Sequence, residues 1–196
     1  MSRIIFLNGC SSSGKTSISK ASQELSDTPW LHVGIDTFIG MLPSKFFEFG
    51  DRAREGYYSF AHSENERGAC IHVETGPMGD VFFHDHVPQV VQLLADLGHD
   101  IIVDEVIFDK VSLEQYLLKL SNHNVFLVQV TCEFDVLRDR ERLRGDRAIG
   151  LANDQFDRFQ SFSYAYDLTV DTTQVSAMDN ARLILGNPAI ACDRLG

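Results

Sequence analysis

Eight consecutive residues, Gly9-Cys10-Ser11-Ser12-Ser13-Gly14-Lys15-Thr16, set two glycines around small polar side chains and follow them with Lys and Thr, in the spacing GxxxxGK[ST]. Residue types in that order suit a polyphosphate. The glycines allow backbone turns that bring successive N–H groups round onto phosphate oxygens. Lys15 has the reach for β- and γ-phosphates, and the Thr16 hydroxyl is a ligand for Mg2+. A helix beginning here, through Lys15, Thr16 and Ser17, adds its positive dipole end. The motif carries weight only between a buried strand and a helix. Both are in place: RIIFL, residues 3–7, reads as a strand, and KTSISKASQELS, residues 15–26, repeats Ile18, Ala21 and Leu25 at helical spacing. The stretch Gly9 to Ser17 is therefore expected to hold the triphosphate of ATP with Mg2+.

Two acids follow at places where such a loop needs them. In IIVDEVIF, Asp104 and Glu105 end an apolar run. An acid at a strand end is by itself only a solvated terminus; next to the phosphate loop, Asp104 becomes a candidate for holding Mg2+, with Glu105 behind it. Asp36 follows WLHVGI, a second short strand. It is expected at the carboxyl edge of the sheet, where ligands of open α/β sheets bind. A carboxylate there could orient an acceptor hydroxyl and take its proton. Asp36 could equally cap the helical turn that follows, and the two roles are compatible.

Residues 138–147, RDRERLRGDR, concentrate arginine in a chain of net charge −11. One reading is a lid whose arginines close over phosphate, exclude water and neutralise the group in transfer. The other is a solvated helix, since Asp139, Glu141 and Asp146 are interleaved. No NKxD motif for reading guanine is present.

The elements that must position these residues alternate. Strands are expected at 3–7, 30–35, 100–108, 124–131 and 167–171, and helices at 15–26, 85–97, 111–121, 133–145, 151–163 and 176–186, with a helical turn over 37–43. Apolar strands alternating with helices imply parallel pairing by right-handed crossovers. The fold class expected is α/β: a three-layer sandwich with a central parallel sheet, in one domain over 1–196. Residues 44–86 interrupt the alternation with glycines and Phe46, Phe47, Phe49, Tyr57, Tyr58 and Phe60. Within them CIHVE, 70–74, could pair as a hairpin with FFEFG or DVFFH. This insertion follows Asp36, so it is where an acceptor site should be built. Phe38, Met41, Phe46, Val106 and Phe108, with Ile35, Leu42 and Phe47, could supply an apolar wall. Arg52, Arg54 and Arg67 leave a nucleotide acceptor open.

A net charge of −11 repels a nucleic-acid backbone. No window approaches the ~18 apolar residues of a membrane span. The apolar part of MSRIIFLNG is too short for a signal peptide, so a cytoplasmic location is expected. The four cysteines form no CxxC pair, and the seven histidines show no zinc-ligand spacing. A homo-oligomer is left open.

Five stretches in this order, LNGCSSSGKTS, PWLHVGIDTFIGMLP, IIVDEVIF, CEFDVLRDRERLRGDRAIG and YDLTVDTT, resemble those of the chloramphenicol phosphotransferase-like family. The likeness spans most of the chain. It implies a nucleoside-kinase-like fold and ATP-dependent phosphorylation of a hydroxyl on a small-molecule alcohol. It places the base on Asp36 and the lid, over about 138–150, with its arginines on Arg140, Arg144 and Arg147. Arg140 would lie against adenine and the later ones near the phosphates. Two departures stand out: a longer, more aromatic 44–86 segment, and Glu105 where the family pattern has a second Asp.

Overall fold

The structure, a computed structural model, describes residues 1–144 and 148–191. Strand β1 (Arg3–Asn8) leads through the loop into helix α1 (Lys15–Leu25), then β2 (Trp30–Gly34) and the short α2 (Ile35–Ile39). The inserted segment holds β3 (Phe47–Glu48), β4 (Tyr58–Asn65) and β5 (Gly68–Thr75). After α3 (Pro77–Val81) and α4 (Val87–Asp96) come β6 (Asp100–Glu105), α5 (Lys110–Lys119), β7 (Asn124–Thr131), α6 (Phe134–Arg144), α7 (Leu151–Ser161), β8 (Leu168–Asp171), α8 (Ala177–Leu185) and α9 (Pro188–Ala191).

The main sheet has five strands in the order β2-β6-β1-β7-β8, every pair parallel. It is an α/β sandwich because both faces of each inner strand are apolar. Ile4 and Phe6 point to one side, where Val87 and Val91 of α4 and Leu113 and Tyr116 of α5 cover them. Ile5 and Leu7 point to the other, against Ile18 of α1 and Ile184 of α8. That period of two, read on β1, is the strand's geometry made visible. β1 and β6 end side by side, with Asn8 paired to Glu105, so the phosphate loop and the two acids emerge at one edge.

The insertion departs from the hairpin expected. CIHVE lies within β5, but its antiparallel partner is β4; FFEFG contributes only the two-residue β3, which runs parallel to β4. DVFFH is helical. It carries a π-turn over 82–86 that joins α3 to α4, where the Val87 N–H reaches back to the Phe82 carbonyl. Pro88 explains the wider turn: it has no N–H to offer the His84 carbonyl, and its ring would crowd it. The helix expected over 85–97 thus begins a full two turns earlier. The strand expected over 100–108 stops at Glu105, and Ile35 opens α2 rather than ending β2.

Candidate active site

The phosphate loop owes its path to close packing as well as to glycine freedom. A Cβ at Gly9 would run into the Val130 carbonyl oxygen of β7. Gly14 sits at φ 93°, and Ser12 holds φ 63° without being glycine, a conformation that costs energy for an L-residue. Something must hold it, and two side chains from outside do. Gln155 of α7 accepts the Ser11 N–H at 2.7 Å. Thr172, just past β8, donates its hydroxyl to the Ser13 carbonyl at 2.6 Å. Lys15 is buried and folds back, its Nζ donating to the Gly9 and Cys10 carbonyls at 2.9 and 2.8 Å. Burial pushes the Cys10 thiol up to about 12, despite Lys15 nearby, so this thiol is no nucleophile at neutral pH.

The two residues expected at the metal meet. Thr16 Oγ1 donates to Asp104 Oδ2 at 2.8 Å. Lys15 Nζ stands 3.7 Å from Asp104 Oδ1 and His32 Nε2 3.5 Å from Oδ2. Burial alone would raise the Asp104 carboxyl, but Lys15 together with His32 and Thr16 outweighs it and holds it below the usual range. Ionised carboxylate plus hydroxyl are hard oxygen donors that fit Mg2+.

Glu105, the neighbour of Asp104, is buried, and burial together with the charges of Asp104 and Asp36 raises it to about 8. Its ordinary value is 4.5. Below 4.5 it is neutral folded and unfolded; between 4.5 and 8 only the unfolded chain ionises, so stability is lost as pH rises through that window. Glu105→Gln should remove the loss. In metal-free thermal melts the wild type should fall in Tm from pH 5 to 8, and the variant should gain on it progressively. Parallel curves would show that Glu105 is ionised in the folded protein.

The arginine segment divides its side chains between two faces. On α6, Arg138 and Arg142 join Asp135 and Asp139 on an exposed face. Arg140 and Arg144, one turn apart, line the cavity instead. Arg140 is fixed by Thr172, donating to its hydroxyl at 3.0 Å and its carbonyl at 2.6 Å. Glu141, expected among the solvated charges, is buried and accepts the N–H groups of Gly150 and Ala152, which caps α7. Arg147 lies outside the described residues.

These groups converge on one cavity of about 480 Å3, lined by Ser11, Ser12, Gly14, Lys15, Thr16 and Ser17 from the loop, and by Asp36, Asp104, Val106, Arg140 and Arg144. Gly34, not Asp36, caps α2; Asp36 lies in its first turn. Among the apolar acceptor candidates, Val106 and Ile35 line the cavity. The others are placed elsewhere, for physical reasons. Phe38 is buried against Phe82 in the core. Met41 points outward at 63% exposure. Phe46 lies under Lys45 and Arg52. Phe108 faces a second hollow, covered by Arg158 at 3.6 Å. Sequence reasoning missed Gln155, Thr172 and His32. Thr172 sits in the YDLTVDTT stretch, which is its one signal in the sequence; Gln155 and His32 carry no local signal.

A family model described as chloramphenicol phosphotransferase-like protein matches residues 2–187. Two Mycobacterium tuberculosis sequences, each named as a candidate O-phosphotransferase, are 32% identical over 181 residues, covering 92% of this chain and 79% of theirs. Among solved structures, a sugar kinase from Janibacter sp. superposes with a TM-score of 0.62 at 17% identity, over 98% of this chain and 100% of that one. The APS kinase of Mycobacterium tuberculosis, in complex with AMPPNP and APS, gives 0.60 at 14% identity, over 94% and 96%. The two kinases bear on the fold, which they share from end to end.

Proposed function

The chain belongs to the chloramphenicol phosphotransferase-like family, and from that premise we propose that it moves the terminal phosphate of ATP to a hydroxyl of a small molecule. One observation carries the reading: Asp36, the only carboxylate of α2, opens into the same cavity as the phosphate loop, Asp104 and two arginines. The names of the relatives point the same way.

In this reading the loop from Gly9 to Ser17 takes the phosphates by backbone N–H groups other than those of Gly9, Ser11 and Ser13, which are bonded within the protein, and Lys15 exchanges its loop carbonyls for phosphate oxygens. Buried hydroxyls of Ser12 and Ser13 lack partners in the structure, as a loop shaped for an oxygen-rich guest would leave them. Thr16 and Asp104 would hold Mg2+, which supplies charge neutralisation on the phosphates. Asp36 accepts the hydroxyl proton as the acceptor oxygen bonds to phosphorus and the bridging bond to ADP breaks. Arg140, held over Gly14 by Thr172, is assigned to the nucleoside end, and Arg144, with Arg147 by family resemblance, to the phosphates.

An antibiotic-like aryl alcohol is the acceptor class the family name suggests. A second reading, a more polar acceptor such as a sugar, draws on a specific observation: of the aromatic candidates Phe38, Phe46 and Phe108, none lines the cavity. A nucleotide acceptor is disfavoured, since Arg52, Arg54 and Arg67 do not line the cavity, and Arg52 is paired with Glu55 and Arg67 with Asp157. The test is a mass-spectrometric screen of alcohols with ATP and Mg2+, chloramphenicol and simple sugars included. A gain of one phosphate on chloramphenicol selects the first reading and a gain on a sugar the second. No gain on any alcohol, with ATP bound, would leave a nucleotide-binding module and sink the transferase.

A further inference from the structure

Helix α7 touches the arginine-bearing helix α6, the inserted hairpin and the phosphate loop. Its first turn is capped from the lid helix by Glu141. Its outer side is tied to the inserted hairpin: Asn153 Nδ2 donates to the Gly68 and Ala69 carbonyls, Asp154 pairs with His72 at 3.0 Å, and Asp157 with Arg67 at 3.1 Å. The Ile71 N–H meets the Gly150 carbonyl just before the helix. Its inner side packs Ala152 in one cluster with Cys10 of the phosphate loop and also sends that loop a polar side chain. That chain is Gln155, whose Oε1 receives the Ser11 N–H in a buried contact. An amide with no charge, buried between two elements far apart in sequence, is a costly way to fill space.

Where the bond lands decides what it does. The start of α1, at Thr16 and Ser17, grips the inner phosphates through the helix end, while Lys15 reaches on toward the outer ones. Ser11 lies on the opposite limb of the loop and lines the cavity with Asp36. With the inner phosphates at the start of α1, the outermost phosphate falls to that limb, in the cavity that Asp36 also lines. The neighbouring Ser12 is the residue held at φ 63°, so the limb is a place where the backbone depends on outside support.

Resting on the phosphotransferase reading, we infer that Gln155 is a positioning residue for the terminal phosphate: it ties the acceptor-side limb of the loop to the helix that carries the lid and the insertion. Removing its oxygen should loosen that limb and leave the grip on the inner phosphates intact. The lid and the hairpin then lose their line to the transferable group, while the nucleotide can still bind.

Gln155→Met keeps the side-chain volume and removes the accepting oxygen. Calorimetric titration with Mg-AMPPNP and MgADP reads the two ends of the nucleotide separately and needs no acceptor. The expected result is a loss of about tenfold in affinity for the triphosphate, with MgADP unchanged within about twofold. A purely structural role would lower Tm and weaken both nucleotides together; that outcome, or no change in either, overturns the inference. If Gln155→Met does not fold, Gln155→Asn, which withdraws the same amide by one methylene, takes the same test. Failure of the wild type to bind either nucleotide would instead remove the phosphotransferase reading on which this rests.

Discussion

Asp36→Asn is expected to lower kcat for phosphoryl transfer by about 10²–10⁴-fold, the usual worth of a positioned general base, and to leave MgATP affinity within about threefold. The substitution keeps shape and removes only the ability to take a proton. The loop is held in shape by Gln155, Thr172 and the carbonyls around Lys15. Binding and chemistry should therefore separate. Steady-state kinetics on the acceptor found by screening, with calorimetry for nucleotide, checks both halves. Transfer at wild-type rate would show that the acceptor hydroxyl needs no base here, or finds another. Loss of ATP binding would assign Asp36 to the loop instead.

Lys15→Met should fail in a different pattern. Methionine keeps the buried stem and removes the charge. Two effects follow. The phosphates lose a cation at a desolvated site, where one preorganised donor is worth about 10²–10³ in rate. Asp104 also loses the partner 3.7 Å away that does most to hold its carboxyl down against burial. With that cation gone, burial counts for more and the Asp104 carboxyl rises. We expect both MgATP affinity and kcat to fall, and the acid limb of the Mg-dependent binding profile to move to higher pH. Wild-type ATP affinity in this variant would show that the loop works through backbone N–H groups alone. An unshifted acid limb would show that His32 and Thr16 suffice to keep Asp104 ionised.

The parts of the site that were legible in the sequence are those whose chemistry is local. The loop motif states its own geometry, because its glycines stand where the backbone takes a left-handed turn or packs against β7. Asp36 and Asp104 were legible for a related reason: each follows a short apolar run, and strand ends in a parallel sheet collect at one edge. The arginine pairs on α6 were half legible. Spacing shows that Arg140 and Arg144 share a face and that Arg138 shares another with Arg142, but only packing says which face is wet. Glu141 was misread as solvated, since burial of a carboxylate by two backbone N–H groups of another helix leaves no trace in its own neighbourhood.

What stayed hidden depends on contacts between distant segments. Phe38 is one residue type in one amphipathic turn whether it faces a ligand or the core; here α4 and the π-turn bring Phe82 against it. CIHVE was readable as a strand, yet its partner was decided by the turn after Asn65, where Gly68 takes φ 107°. Gln155 has the least signal of all. It lies in an ordinary helical run, and its role exists only because α7 crosses the phosphate loop 144 residues away in sequence.

The strand order β2-β6-β1-β7-β8 carries a kinetic corollary. β1 is the middle strand, and its two neighbours begin at Asp100 and Asn124. A ribosome delivers Arg3–Asn8 long before either edge of that strand has anything to bond to, and such long-range parallel pairings are slow to form. Until residue 131 has emerged, a bare apolar ribbon precedes a phosphate loop with no backing, because Gly9 takes its position against Val130. The loop is thus made well before the strands that give it a shape, and nascent chains that end short of β7 should neither hold nucleotide nor resist aggregation.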